Sequence, residues 1–189
     1  MKVRRQLLTI IISVCLLSGL LPILAQAAAT NPTGDPIGSF WGIVAKSNGP
    51  NTTTPVGDWQ CVEYVKRFYH DIWGIDTYNK WRGDACTYDS KPGLTFYPNG
   101  TSYTVPQPGD ILVYSKGLYG HVAIVMSLST ATGQMQLIHQ NWSRSTAYMP
   151  VTANIRWVYK SGYFYAYVTV PAMGSYICKG WSRSSLQCR

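Results

Sequence analysis

The chain is poor in acidic groups and in groups suited to acid–base chemistry. Its 189 residues hold eight acidic side chains against 16 lysines and arginines, and the only glutamate is Glu63. There are three histidines, His70, His121 and His139. Any histidine-dependent chemistry must therefore use one of these. No extended run of basic residues is present, so the usual electrostatic footprint of a nucleic-acid-binding surface is missing. The chain also lacks an internal repeat, and no low-complexity tract appears beyond the segment ahead of residue 58, which excludes a repeat array.

One long hydrophobic run is present. Leu7 to Leu24 follows Lys2, Arg4 and Arg5 and leads into "AQAAA". This order is that of a secretory signal peptide cleaved after Ala27 or Ala29. Pro22 and the alanine-rich exit favour cleavage over an uncleaved anchor, so no stable membrane anchor is expected. Cys15 lies inside the apolar run, too early for a lipoprotein site. With residues 1–29 set aside, removing three cations from 16 leaves 13 against 8 acidic residues, a balance of +5. The remainder is one domain of ordinary size. A modestly basic secreted protein is drawn to polyanions, and a bacterial wall is one such surface.

Residues 30–57, rich in Asn, Pro, Gly and Thr, read as a loop-like lead-in packed on the domain through Phe40, Trp41 and Val44. Asp58 is the expected helix N-cap. After it, Cys61, Val65, Phe68 and Ile72 recur at helical spacing, with Glu63, Lys66, Arg67 and Asp71 on the other side. Trp73-Gly74 ends this helix, and 76–85 has room for a second, short one. Residues 88–110 read as turn-rich surface. The period then becomes two in "DILVYS", "HVAIVMSL", "QMQLIHQNW", "NIRWVYK" and "YFYAYVTV". The expected class is α+β: an N-terminal helix packed on an antiparallel sheet of about five strands. The core spans 58–189 and ends in a C-terminal tail that a Cys178–Cys188 bridge would tie down.

Cys61 then falls in the first turn of the helix, where unpaired N–H groups and the macrodipole favour a thiolate. His121 opens an apolar strand directly after Gly120 and can serve as the base; His70 sits on the polar side of the helix. A thiol at a helix start beside an imidazole is the arrangement needed by an acyl-transfer nucleophile. A third polar group should orient the imidazole. Strand periodicity puts His139 and Asn141 on one face and Ile138 and Gln140 on the other. Whether His121 faces that pair depends on the hairpin: its tight loop must have an odd number of residues, or a bulge must shift the phase. The oxyanion would be held by the Cys61 N–H and a donor from Gln60 or a residue near it. Trp59, Tyr64 and Trp142 are candidate cleft walls.

"WQCVEYVKRFY", "QPGDILVYSKGLYGHVAIVMS" and "LIHQNWS", in this order, resemble the CHAP domains, cysteine- and histidine-dependent amidohydrolases/peptidases. The resemblance covers about Gly42 to Val170. It implies a papain-like fold, Cys61 as nucleophile, His121 as base, and amide bonds of peptidoglycan peptides as substrate. Asn141 matches the asparagine of the family's Glu-x-Asn pattern, but His139 stands where the glutamate usually is. A neutral imidazole can orient His121 yet stabilises an imidazolium less than a carboxylate does. Some relatives bind calcium ahead of the cysteine; here Asp58 alone supplies a hard oxygen side chain, so neither metal nor cofactor is expected. The expected protein is a secreted or wall-associated bacterial monomer acting on peptidoglycan peptides, with anionic wall polymers as further partners and no nucleic acid. Alternatives are an amidase of another peptide-like substrate, including a toxin against competitors, or a non-catalytic wall-binding module.

Overall fold

The computed structural model describes residues 33–49, 58–115, 117–141, 148–171 and 176–188. Residues 1–29, expected to be a signal peptide, and Trp142 lie outside the described residues. Ahead of the helix the chain forms a hairpin rather than a loop: β1 (Pro36–Phe40) pairs antiparallel with β2 (Ile43–Lys46). Its two turn residues, Trp41 and Gly42, have φ of 47° and 82°. Two positive φ values in a two-residue loop match the twist of a tight hairpin. Phe40 and Trp41 stack on Phe68 of the following helix, each with ring centroids 5.7 Å away.

Helix α1 (Cys61–Trp73) begins later than the sequence suggests. Its cap is Gln60, with extended backbone, and Asp58 lies two residues before it. Cys61 is therefore the first helical residue. Gly74 ends the helix at φ 66°, its N–H donating to His70 O at 2.8 Å and that of Ile75 to Tyr69 O at 3.4 Å. This is the glycine-capped ending in which only a residue free of Cβ strain turns left-handed cheaply. Cys61, Tyr64, Val65, Phe68 and Tyr69 are buried, while His70 is exposed. A short helix α2 (Thr77–Lys80) and a 3₁₀ turn (Ala85–Thr87) follow.

The strands are β3 (Leu94–Pro98), β4 (Ile111–Ser115), β5 (His121–Ser129), β6 (Gln134–Ile138), β7 (Tyr148–Thr152), β8 (Asn154–Lys160), β9 (Tyr163–Thr169) and β10 (Ile177–Ser184). Six of them form one antiparallel sheet in the order β3-β10-β4-β5-β6-β7, and β8-β9 is a separate hairpin. The class is α+β, with ten strands described rather than about five. One face of the large sheet buries Ile111, Val113, Val122, Ile124 and Ile138 with Val65 and Phe68 of α1. The other buries Leu112, Tyr114, Ala123, Val125, Leu137 and Trp181 with Val168 of β9. Burial on both faces explains why β4 and β5 read as continuous apolar runs.

The C-terminal segment is no tail. β10 lies between β3 and β4, with Trp181, Ser182, Arg183 and Ser184 buried. Gly180 is required there: a Cβ would stand 2.2 Å from Tyr97 O. Arg183 meets the fully buried Asp110 through two bonds, Nε to Oδ1 at 2.8 Å and Nη2 to Oδ2 at 2.6 Å. Cys61, Cys86 and Cys178 carry free thiols, and the side chain of Cys188, expected to pair with Cys178, lies outside those described. Arg183→Met should leave Asp110 buried and unpaired, lowering stability by about 3–5 kcal/mol in urea unfolding. A loss below 1 kcal/mol would show that β10 is held by its apolar contacts alone.

Candidate active site

The hairpin of β5 and β6 decides which side chains meet. Four residues, 130–133, separate the last pair, Ser129↔Gln134. An even loop alone would turn His139 away from His121. A bulge between Val125 and Ser127 shifts the phase, so the register at the site end is Ile124↔Ile138. Carried one residue past the end of β6, that phase puts His139 on the same side as His121, whereas Asn141, at φ 56°, has left the strand conformation. His121 Nε2 stands 3.0 Å from His139 Nδ1, with the rings at 87° to each other. Both rings are buried, at 4% and 2% exposure.

Gly120 fixes where His121 starts. It has φ 68°, and a Cβ on it would lie 2.4 Å from Tyr114 O and 2.9 Å from Cys86 Cβ. Neither neighbour leaves room for a larger residue, and the backbone conformation itself disfavours one. Cys61 is 9% exposed. Burial pushes its thiol up to about 11, although the backbone N–H groups of Val122, Val62 and Cys61 itself favour the thiolate. The amides of the helix start and of β5 thus converge on the sulfur, but desolvation outweighs them.

The first turn of α1 is tied to the end of β6 by Gln140, which is fully buried. Its Oε1 accepts from Lys46 N at 2.7 Å and from Arg67 Nη2 at 3.1 Å. Its Nε2 donates to Gln60 O at 3.1 Å and Glu63 Oε2 at 2.8 Å. Both ends of the amide are satisfied, as a buried polar group requires. Arg67 clamps Glu63 (Nε to Oε1, 2.7 Å) and donates to Val44 O at 2.8 Å, bringing in the β1–β2 hairpin. Sequence reasoning placed Gln140 on the far face and saw no role for Glu63 in the site. The signal available was a glutamine between two candidate residues, beside a helix holding the only glutamate.

Asn141, at φ 56°, does not reach His121 through any bond among the described contacts. Its Nδ2 donates to Gln60 Oε1 at 2.5 Å, and its Oδ1 accepts from Asn48 Nδ2 at 3.0 Å. Gln60, Cys61, His121 and Asn141 line one cavity of about 390 Å³, together with Asp84, Tyr119 and Tyr176. Sequence reasoning missed these last three, which come from loops without periodicity. The Tyr176 ring lies 6.2 Å from that of His121. Tyr64 is fully buried, with its hydroxyl donating to Ile43 O at 3.2 Å, so it belongs to the core and not to a cleft wall. Trp59 lies under the Lys46 ammonium, 3.9 Å from its ring centroid, and does not line the cavity. Among the described residues no group of three or more His, Cys, Asp or Glu side chains is arranged to hold a metal.

Residues 49–141 match the model of the CHAP domain family. This chain carries a CHAP domain. The matched segment contains the cysteine, both buried histidines and Asn141, whereas the β1–β2 hairpin and β7 to β10 lie outside it. Comparison with curated proteins finds no match. CHAP domains are generally hydrolases of the amidase or peptidase type, related to peptidoglycan.

Burial lowers the His121 pKa well below 6.5, and His139 lowers it further; burial alone brings His139 to about 4. Each folded value is depressed, so on acidification the unfolded chain takes up these protons first. Stability should be intact above pH 6.5 and fall as pH drops from 6.5 through about 4. Thermal unfolding across that range should show His139→Gln with a shallower decline than the parent. Identical slopes would mean that His139 is not buried neutral. Gly120→Ala should cost more than about 2 kcal/mol, since strained φ and a backbone clash combine. A neutral result in urea unfolding would contradict the close packing of Gly120.

Proposed function

We propose that this protein is a secreted bacterial thiol hydrolase that cleaves amide bonds in peptidoglycan peptides through an acyl-enzyme on Cys61. The observation that carries this reading is one cavity lined by both Cys61, the first residue of a helix, and His121, whose Nε2 is engaged by His139. The CHAP domain supports the substrate class, and the leader sequence supports export.

The resting pair is a neutral thiol and a neutral imidazole, because burial raises one pKa and lowers the other. Catalysis then starts by proton transfer rather than from a standing thiolate. For His121 to accept the thiol proton on Nδ1, its Nε2 must carry a hydrogen, donated to the lone pair of His139 Nδ1. As sulfur attacks the carbonyl carbon, the thiol proton passes to Nδ1 and the carbonyl oxygen becomes an oxyanion. The Cys61 N–H and the Gln60 side-chain amide are the donors assigned to it. Gln60 Oε1 accepts from Asn141 Nδ2, so the Nε2 end of that amide is the one assigned to the oxyanion. The imidazolium returns the proton to the leaving amine, the C–N bond breaks, and water activated by the neutral imidazole then releases the acyl group.

His139 fills the position of a carboxylate but stabilises the imidazolium only as a neutral acceptor. Release of muropeptides from purified walls, read by mass spectrometry, tests each role. Cys61→Ala should reduce release by about 10³-fold or more. His139→Ala should cost about 10- to 100-fold, and His139→Glu should restore release to the parent level or above, because a carboxylate also stabilises charge on His121. An active Cys61→Ala protein would overturn the mechanism, and an inactive His139→Glu protein would overturn the role given to His139.

The pH profile of kcat/KM carries the same logic. Activity should persist below pH 6.5, since His121 stays neutral there, and the thiol should not titrate until about pH 11. An acid limb centred above pH 7 would contradict a depressed His121 pKa.

A further inference from the structure

Asp84 stands apart among the residues that line the Cys61 cavity. It carries the only full charge there, since the buried His121 ring is neutral and the Cys61 thiol is protonated. It does so in a chain whose net charge is +8. Asp84 is exposed, and among the described residues no hydrogen bond or ion pair engages its carboxylate. Lys91 acts on it only through space. That ammonium is occupied by Arg82 O at 2.5 Å and Thr87 Oγ1 at 2.7 Å.

The position of Asp84 is set with respect to the reacting groups. Its carbonyl accepts from Thr87 N at 3.0 Å and Thr87 Oγ1 at 2.7 Å, fixing the 3₁₀ turn that follows it. Within that turn, Cys86 N donates to Tyr119 O at 3.0 Å, and Cys86 packs against Gly120, the residue before His121. The acidic group is thus braced against the strand that presents the base. Tyr119 and Tyr176 line the same cavity. A carboxylate accompanied by aromatic rings suits a cation, through charge and through the negative ring faces.

We propose that Asp84 forms an amine-binding subsite of this cleft, selecting substrates that carry a positively charged amine close to the scissile amide. The inference rests on reading the cleft as that of an amide hydrolase, and it narrows the substrate to peptides with a free amine, such as the side chain of a diamino acid or an uncapped N-terminus. A substrate presenting a carboxylate at this point would be repelled.

Binding is measured separately from cleavage. In the Cys61→Ala protein, calorimetric titration with a lysine-containing wall-type peptide and with its Nε-acetyl derivative gives two dissociation constants. Acetylation should weaken binding about three- to tenfold, the range for a partly solvated ion pair of about 0.7–1.4 kcal/mol. Adding Asp84→Asn should remove that difference, and Asp84→Lys should reverse it. Equal affinities for the two peptides with Asp84 present, or a preference that survives Asp84→Asn, would overturn the subsite. Cleavage of the same peptides by the Cys61 protein reports on the hydrolase reading by itself. An amine preference without cleavage upholds the subsite and overturns the hydrolase; cleavage of both peptides with equal affinity does the reverse.

Discussion

The start of α1 is pressed against the ends of β5 and β6 with Cys61, His121, His139 and Gln140 buried between them, and that dry junction governs the site. Burying polar groups is tolerable only when they are hydrogen-bonded or uncharged. Gln140 meets the first condition with four bonds, joining α1, β2 and the end of β6 through one amide. Cys61, His121 and His139 meet the second, since burial drives the thiol pKa up and both imidazole pKa values down. In the proposed mechanism, the same desolvation therefore sets the protonation state from which chemistry begins.

That constraint also gives the His121–His139 contact a direction. With both rings neutral, one nitrogen donates and the other accepts across the 3.0 Å separation. Only the arrangement with the hydrogen on His121 leaves its second nitrogen able to take a proton from sulfur. A glutamate at position 139 would bring a buried negative charge that favours the imidazolium. Histidine there lowers the charge that the junction must bury and shifts the work toward a transient charge during reaction. Asn141 sits one step aside, on Gln60 and Asn48, so in the proposed mechanism His139 acts through the base and Asn141 through the oxyanion donor.

The parts of this design that were legible in the sequence are those with a period or a spacing. α1 and the five strand segments were visible because apolar residues recur at 3.6 or 2, and Cys61 and His121 because each sits at the start of such a run. Whether His139 would face His121 was not readable, since it turns on a bulge near Met126 that cancels an even loop. β10 was hidden because its buried positions include Ser182, Arg183 and Ser184, whose burial depends on Asp110 and Tyr88 far away in sequence. The β1–β2 hairpin was hidden because its turn places a tryptophan at positive φ, where Gly, Asn or Asp would have announced it. Asp84, Tyr119 and Tyr176 come from loops, and only the fold gathers them.

Protonation of the two buried rings is the most direct test of a site built on a dry junction. Nitrogen-15 NMR of the imidazoles at pH 7 distinguishes the neutral tautomers from the imidazolium. Two neutral rings are expected, with His121 protonated on Nε2 and His139 accepting at Nδ1, and with no charged form until the pH falls below 6.5. A His121 imidazolium at pH 7, paired with a thiolate on Cys61, would contradict a neutral resting site and return the chemistry to a preformed ion pair.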